Sequence, residues 1–229
     1  MKRFYKDASA GTHEGALTVL LDGRPVRTPK RTLLAMPTAG LAEAVAGEWR
    51  DQVDEIVPTS MPLTQLVSTA LDRIAPQMDA VVTEVARFAE TDLVCYRAET
   101  PESLVLAEHA AWSPLVSWLE EALDARLAVT SGIQPIPQSA ESLAKIRAEI
   151  AGLDAMRLAA LSSATAVSGS VVIGLALAHS RITGAEAADA AHVDEMHQME
   201  RWGREQDAEA HMLLRRAELL AVERFLALL

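Results

Sequence analysis

The stretch AAHVDEMHQMERWGREQDAEAH, residues 190–211, sets three histidines and a run of carboxylates around a Trp-Gly pair. Histidine beside carboxylate is the donor set of zinc and di-iron centres and of acid–base catalysis, so spacing decides what it can do. Placed on one continuous helix over residues 185–228, His192 and His197 point about 140° apart and cannot share an ion. His197 and His211 fall within about 40° of each other but lie about 21 Å apart along the axis. A zinc-protease helix needs His at i and i+4 with Glu between them, a spacing absent here. Asp194-x-x-His197 is half of a di-iron motif, and the second Glu-x-x-His is missing. The spacing therefore predicts no metal site.

The same wheel sorts the side chains. Met196, Met199, Gly203, Gln206, Ala210, Leu213, Ala217 and Leu220 recur at spacings of three and four and predict an inward seam. Trp202 shares another stripe with Glu195, Gln198, Gln206 and Glu209. A tryptophan among acids and amides is expected to be at least partly exposed. It either packs on a neighbouring element or forms a recognition surface, where exposed Trp is enriched.

Other chemistries have little to stand on. SGSVVIG lacks the Lys-Ser/Thr ending of a phosphate loop and the glycine spacing of a dinucleotide site, and no Gly-x-Ser-x-Gly elbow occurs. The single cysteine, Cys95, excludes an intramolecular disulfide and is expected to be a small buried thiol. It sits in FAETDLVCYRAETPE, where a site around Asp92, Cys95, Tyr96 and Arg97 is the enzymatic alternative. The structural alternative there is an inter-helix turn with Asp92 and Arg97 paired. A general protein-interaction module is a third reading.

These residues need a scaffold. The chain has 229 residues, half of them apolar, with a formal net charge of −11, which opposes nucleic-acid binding. Residues 1–31 run against the trend, with seven Lys/Arg against three Asp/Glu. The longest apolar run, AVSGSVVIGLALA, is too short to span a bilayer and predicts a helix buried on all sides and ending near His179. No membrane insertion is expected. MKRFYKDASAGT is charged and carries no secretory signal.

ALTVLL-DG-RPVRT predicts a hairpin turning at Asp22-Gly23, with Pro25 on an edge strand, and TLLAM a third strand. Thr38 should cap a helix running to about Gln52, with Leu41, Val45 and Trp49 on its apolar stripe. From Pro62 onward helix follows helix. Thr100-Pro101-Glu102 is a start signal, and Pro114 should kink or divide the helix that follows. Ser139 and Asp154 are further caps, GIQPIPQS is a loop, and Thr183-Gly-Ala-Glu186 is a capping box. The expected fold is α+β, with a small β-rich N-terminal module over residues 1–60 and a larger all-helical domain over 61–229.

Seven segments together carry a resemblance. KRFYK, LDGRPVRTP, EWRDQ, MPLTQL, TDLVCYRAETPESL, WSPLVSW and VDEMHQMERWG resemble, in order and spacing, the ATP-twelve family of assembly chaperones for the α subunit of the F-type ATP synthase catalytic head. The resemblance implies a two-domain protein without enzymatic activity or cofactor. Its partner is the free α subunit, whose β-subunit-facing surface it shields until the α/β ring forms. Matched to the motif around Trp-Gly, Glu195, Gln198 and Trp202 are the implied partner-binding residues, with Glu205 and Asp207 as approximate matches. Trp49, Gln52, Asp92, Tyr96, Arg97 and Trp112 fall in its structural motifs. Mitochondrial members carry a presequence. A chain beginning at the first motif is expected in the bacterial cytoplasm, or in the mitochondrial matrix if it is a trimmed eukaryotic sequence.

Overall fold

The computed structural model describes residues 1–132, 134–203 and 205–229. Ile133 of the GIQPIPQS loop and Arg204 of the Trp-Gly motif lie outside the described residues. The fold is α+β, as expected: a small antiparallel sheet is followed by a mostly helical chain. By their contacts the residues form two units. One comprises Met1–Met78, Asp154–Ala160 and Arg224–Leu229, the other Asp79–Leu153 and Leu161–Glu223.

In the first unit, β1 (Ala8–His13), β2 (Ala16–Leu21) and β3 (Arg24–Pro25) form the sheet in that order. The hairpin turns at Asp22-Gly23, both at positive φ, as the dipeptide predicts. β1 and its Glu14-Gly15 turn were not anticipated, because SAGT offers no β-branched alternation. TLLAM contributes single bridges, Leu17 to Met36 and Arg27 to Leu33, rather than a strand. Helix α1 (Ala39–Arg50) starts at Thr38, whose hydroxyl accepts from the Leu41 N–H. It buries Leu41 and Val45 against the sheet side of the core. Glu48 turns inward as well and caps α2 (Pro62–Thr69), accepting from the Leu63 and Thr64 N–H groups and the Thr64 hydroxyl at 2.7–2.8 Å. Burial pushes its carboxyl above the usual range, against these bonds.

The second unit is helical: α3 (Met78–Ala86), the long α4 (Glu102–Leu123), α5 (Ala140–Ala151), most of α6 (Ala155–Ser168), α7 (Val171–Ala178), α8 (Gly184–Ala191), α9 (Val193–Trp202) and most of α10 (Gln206–Leu226). A two-residue parallel pair, β4 (Tyr96–Arg97) with β5 (Thr130–Ser131), ties the chain before α4 to the chain after it. α7 is buried from Val171 through Leu177, as the uninterrupted apolar run requires. The Ser139 cap and the Thr183–Glu186 capping box both form. Pro114, in contrast, neither ends nor divides α4, which runs through it. Among the described residues no helix is long and apolar enough to cross a membrane.

One expectation fails outright. Residues 185–228 are not a single helix: α8 ends at His192 and α9 at Gly203, where φ is +94°. A wheel drawn across both breaks loses phase, so the predicted seam does not face inward. Met196, Leu213 and Leu220 are exposed, and on α10 the buried positions are Leu219, Val222 and Phe225.

Candidate partner-binding face

α9 carries the implied binding residues, and its own sequence sets its limits. Asp194 and Glu195 occupy the first turn, where the helix dipole favours acids, and Gly203 accepts the positive φ that ends it. The helix is fastened to α4. Ser103 Oγ meets His197 Nε2 at 2.8 Å, and just before α9 the fully buried Trp112 indole donates to the Ala190 carbonyl of α8 at 2.6 Å. Arg97 lies over the Trp112 ring at 5.0 Å and donates to the Glu108 carbonyl at 2.6 Å.

Beneath α9 sits an acidic pair. Glu108, buried on α4, accepts from the Ala98 N–H at 2.7 Å. Burial foremost, and then its hydrogen bond to the Asp194 carboxyl, hold the Glu108 carboxyl above its ordinary range. The other Asp194 oxygen, Oδ1, is buried without a partner. Neither Glu108 nor this pairing was anticipated: the two acids are 86 positions apart and no local pattern joins them.

Glu195 and Gln198 share the wall of a cavity of about 560 Å³ with Trp112, Asp194 and Arg215. Glu195 is partly exposed and 3.6 Å from the Arg215 guanidinium, a loose ion pair. Trp202, at 74% exposure, stands at the end of the helix outside that cavity. Glu205 and Asp207 are exposed and lie beyond the Gly203 break, so no helical stripe joins them to Glu195. Leu213 and Leu214 on α10 add exposed apolar surface at 59% and 62%.

The segment around Cys95 is arranged for structure. Asp92 and Arg97 do not pair. Asp92 instead meets the start of α7, accepting from the Ser170 hydroxyl and from the Val171 and Val172 N–H groups at 2.7 and 3.2 Å. Arg97 is taken by α4, as above. Burial pushes the Cys95 thiol up to about 12, which leaves no thiolate to act as a nucleophile near neutral pH. Tyr96 is half-buried with an unpartnered hydroxyl. In the first unit, Gln52 is buried, accepts from the Val57 N–H at 2.7 Å and donates to the Glu48 carbonyl at 3.0 Å. Trp49 packs edge-on against Tyr5 at 5.8 Å and accepts from the Tyr5 hydroxyl through its carbonyl. Among the described residues no three His, Cys, Asp or Glu side chains are grouped as metal ligands.

The whole chain has relatives. The ATP12 chaperone protein family model matches residues 2–120. Over 223 residues the chain is 27% identical to Protein atp12, mitochondrial, of Schizosaccharomyces pombe, covering 90% of this chain and 75% of that one. The crystal structure of Atp12 from Paracoccus denitrificans matches at 41% identity with a TM-score of 0.93, covering 99% of this chain and 97% of that one. An aspartate-to-lysine mutant of the Paracoccus denitrificans protein matches over the same shares with a TM-score of 0.92. With the family model spanning more than half its length, the chain belongs to the ATP12 chaperone family.

Proposed function

We propose that this chain is an assembly chaperone of the F-type ATP synthase that binds the free α subunit of the catalytic head and covers its β-subunit-facing surface until the ring closes. Family membership supports the assembly role. One observation carries the binding reading: Glu195, Gln198 and Trp202 lie on one helix, and Trp202 is 74% exposed. An unassembled ring subunit exposes a large apolar face, which is an aggregation hazard. A chaperone for it needs apolar side chains of its own that water tolerates because charges surround them. Trp202 between Glu200, Arg201 and Glu205 is such an arrangement. Glu195 sets orientation, since a partly exposed charge contributes selectivity more than affinity. The bacterial Paracoccus relative supports a bacterial cytoplasmic setting.

The test is co-expression with the α and β subunits of its own ATP synthase, separately, followed by sizing chromatography. The expected result is a complex with α alone that β displaces. Failure to bind folded α removes the reading. Glu195→Lys should weaken α binding about tenfold or more by reversing charge beside Arg215, with circular dichroism unchanged. Full affinity in the folded variant would remove Glu195 from the site.

A further inference from the structure

Beneath α9 two carboxyl groups meet where elementary electrostatics would keep them apart. Glu108, from the middle of α4, is 2% exposed and gives one oxygen to the Ala98 N–H. Asp194, from the first turn of α9, is hydrogen-bonded to the Glu108 carboxyl, and no N–H or O–H of the chain reaches its buried Oδ1. An ionised carboxylate only accepts, so a bond between two carboxyl groups needs a proton on one of them. Two carboxylates in contact away from water repel, and such a pair keeps one proton to a pH at which a lone acid has lost it. Burial foremost, and then Asp194, raise the Glu108 carboxyl; the Arg97 guanidinium lowers it and does not overcome them.

The charges on the elements packed around the pair are engaged elsewhere. Arg97, from β4, donates to the Glu108 main-chain carbonyl and lies over Trp112. Arg215, from α10, leans on Glu195. The acids of α8 are held by the capping box and by Arg216, and the buried His192 ring that follows them meets the Ala188 carbonyl at 2.7 Å. Tyr96 brings a buried hydroxyl, Cys95 a neutral thiol, and Asp92 is held at the start of α7, a helix without charges. On α5, Glu141 pairs with Lys145, Glu149 with His179, and Arg147 donates to Thr83. Among the described residues no ion pair forms to either Glu108 or Asp194, so a proton is what can join them.

We propose that Glu108 and Asp194 share one proton that fastens the first turn of α9 to α4, and that loss of this proton loosens the helix, which makes Glu108 a positioning residue for the face carrying Glu195, Gln198 and Trp202. With the proton in place, one carboxyl donates to the other. Once it leaves, two anions push α9 away from α4 at its first turn, and the Ser103–His197 contact is left to hold that helix. Folding raises the Glu108 carboxyl, so the contribution of the pair is complete at acid pH and declines as pH rises through that elevated range. The consequence for capture rests on α9 being the binding face; the latch itself does not.

Hydrogen exchange of the intact chain, read on the α9 amides and corrected for the intrinsic pH dependence of exchange, tests the latch with no partner present. A wrong latch and a wrong binding face therefore fail in different experiments. In the wild type, protection of α9 relative to α4 should fall about threefold or more between about pH 5 and pH 8. Glu108→Gln can accept from the Ala98 N–H with its oxygen and donate to the Asp194 carboxylate with its amide, and it has no proton to lose. Its α9 protection should stay level across the same range. Asp194→Asn, which can donate to a Glu108 carboxylate, should level the profile too, and it decides alone if Glu108→Gln does not fold. Any titration of His192 or Asp92 is common to all three proteins and cancels in the comparison. A flat profile in the wild type, or the wild-type slope retained in the folded variants, would overturn the proposal.

Discussion

Asp92→Asn separates two opposing effects at the start of α7. The Asp92 carboxylate is fully buried and receives four donors. Val94 N–H, at 3.2 Å, and the Ser170 hydroxyl reach Oδ1, while the Val171 and Val172 N–H groups reach Oδ2. Those bonds favour the charged form, yet burial outweighs them and pushes the group from 3.8 up to about 6. A rise of about two pKa steps corresponds to about 3 kcal/mol. The unfolded chain sheds this proton near pH 4, so from there to about pH 6 the folded state holds a proton the unfolded state has lost. The stability this group contributes is full below about pH 4 and declines as pH rises through about 6. Asparagine cannot ionise. Its oxygen can keep the two α7 N–H groups and its amide can donate to Ser170, but the Val94 N–H then faces a donor, at about 1–3 kcal/mol. Urea unfolding followed by circular dichroism across pH 4–7.5 measures the difference. The variant should be the less stable protein at pH 4, and the gap should close or reverse by about 3 kcal/mol above pH 6. A gap that is constant with pH, or that widens as pH rises, refutes this reasoning. The widening case would mean that the α7 donors and dipole outweigh burial.

Two further outcomes follow from buried groups. Cys95, with its thiol pushed up to about 12, should not react with a thiol-specific disulfide reagent at pH 8 until the chain is unfolded; fast labelling of the native protein would reopen a reactive site there. Gln52→Ala should destabilise the first unit by about 1–2 kcal/mol, because it removes the bonds that buried Gln52 makes to Glu48, Ser60 and the part-buried Val57 N–H. A shift in urea midpoint corresponding to less than about 0.5 kcal/mol would show that water replaces those bonds.

What could be read from the sequence was what short-range chemistry decides. Asp22-Gly23, Thr38, Ser139 and the Thr183–Glu186 box each settle a turn or helix start within four residues, and all four appear. The buried α7 followed from its lack of any polar face. The long-range bonds were hidden. Asp92 finds Ser170 across 78 positions and Glu108 finds Asp194 across 86, and the nearer candidate, Arg97, draws a false pairing with Asp92. Nothing local marks Asp154–Ala160 or Arg224–Leu229 as belonging with the first unit. On the candidate face, Glu195, Gln198 and Trp202 hold their predicted relation because all three precede Gly203. Met196 and the seam positions projected beyond Gly203 were misplaced, because the chain breaks at both His192 and Gly203 and each break resets the helical phase.

That same break bears on how a chaperone can let go. The stripe that carries Met196, Leu213 and Leu220 is outward on α9 as well as on α10. With the helix ended at Gly203, Trp202, Leu213 and Leu214 all remain on the surface. Covering three such side chains yields about 1.5–3 kcal/mol each. Association itself costs at least about 4 kcal/mol, and probing side chains must be ordered as well. On the face proposed above, the net gain would then be a few kcal/mol, in the range that reversible capture needs. Charge on Glu195 and Arg215 would add little to this balance on the proposed face, since both are partly exposed and already loosely paired. Reversible capture on the proposed face would require these apolar residues to stay few and outward.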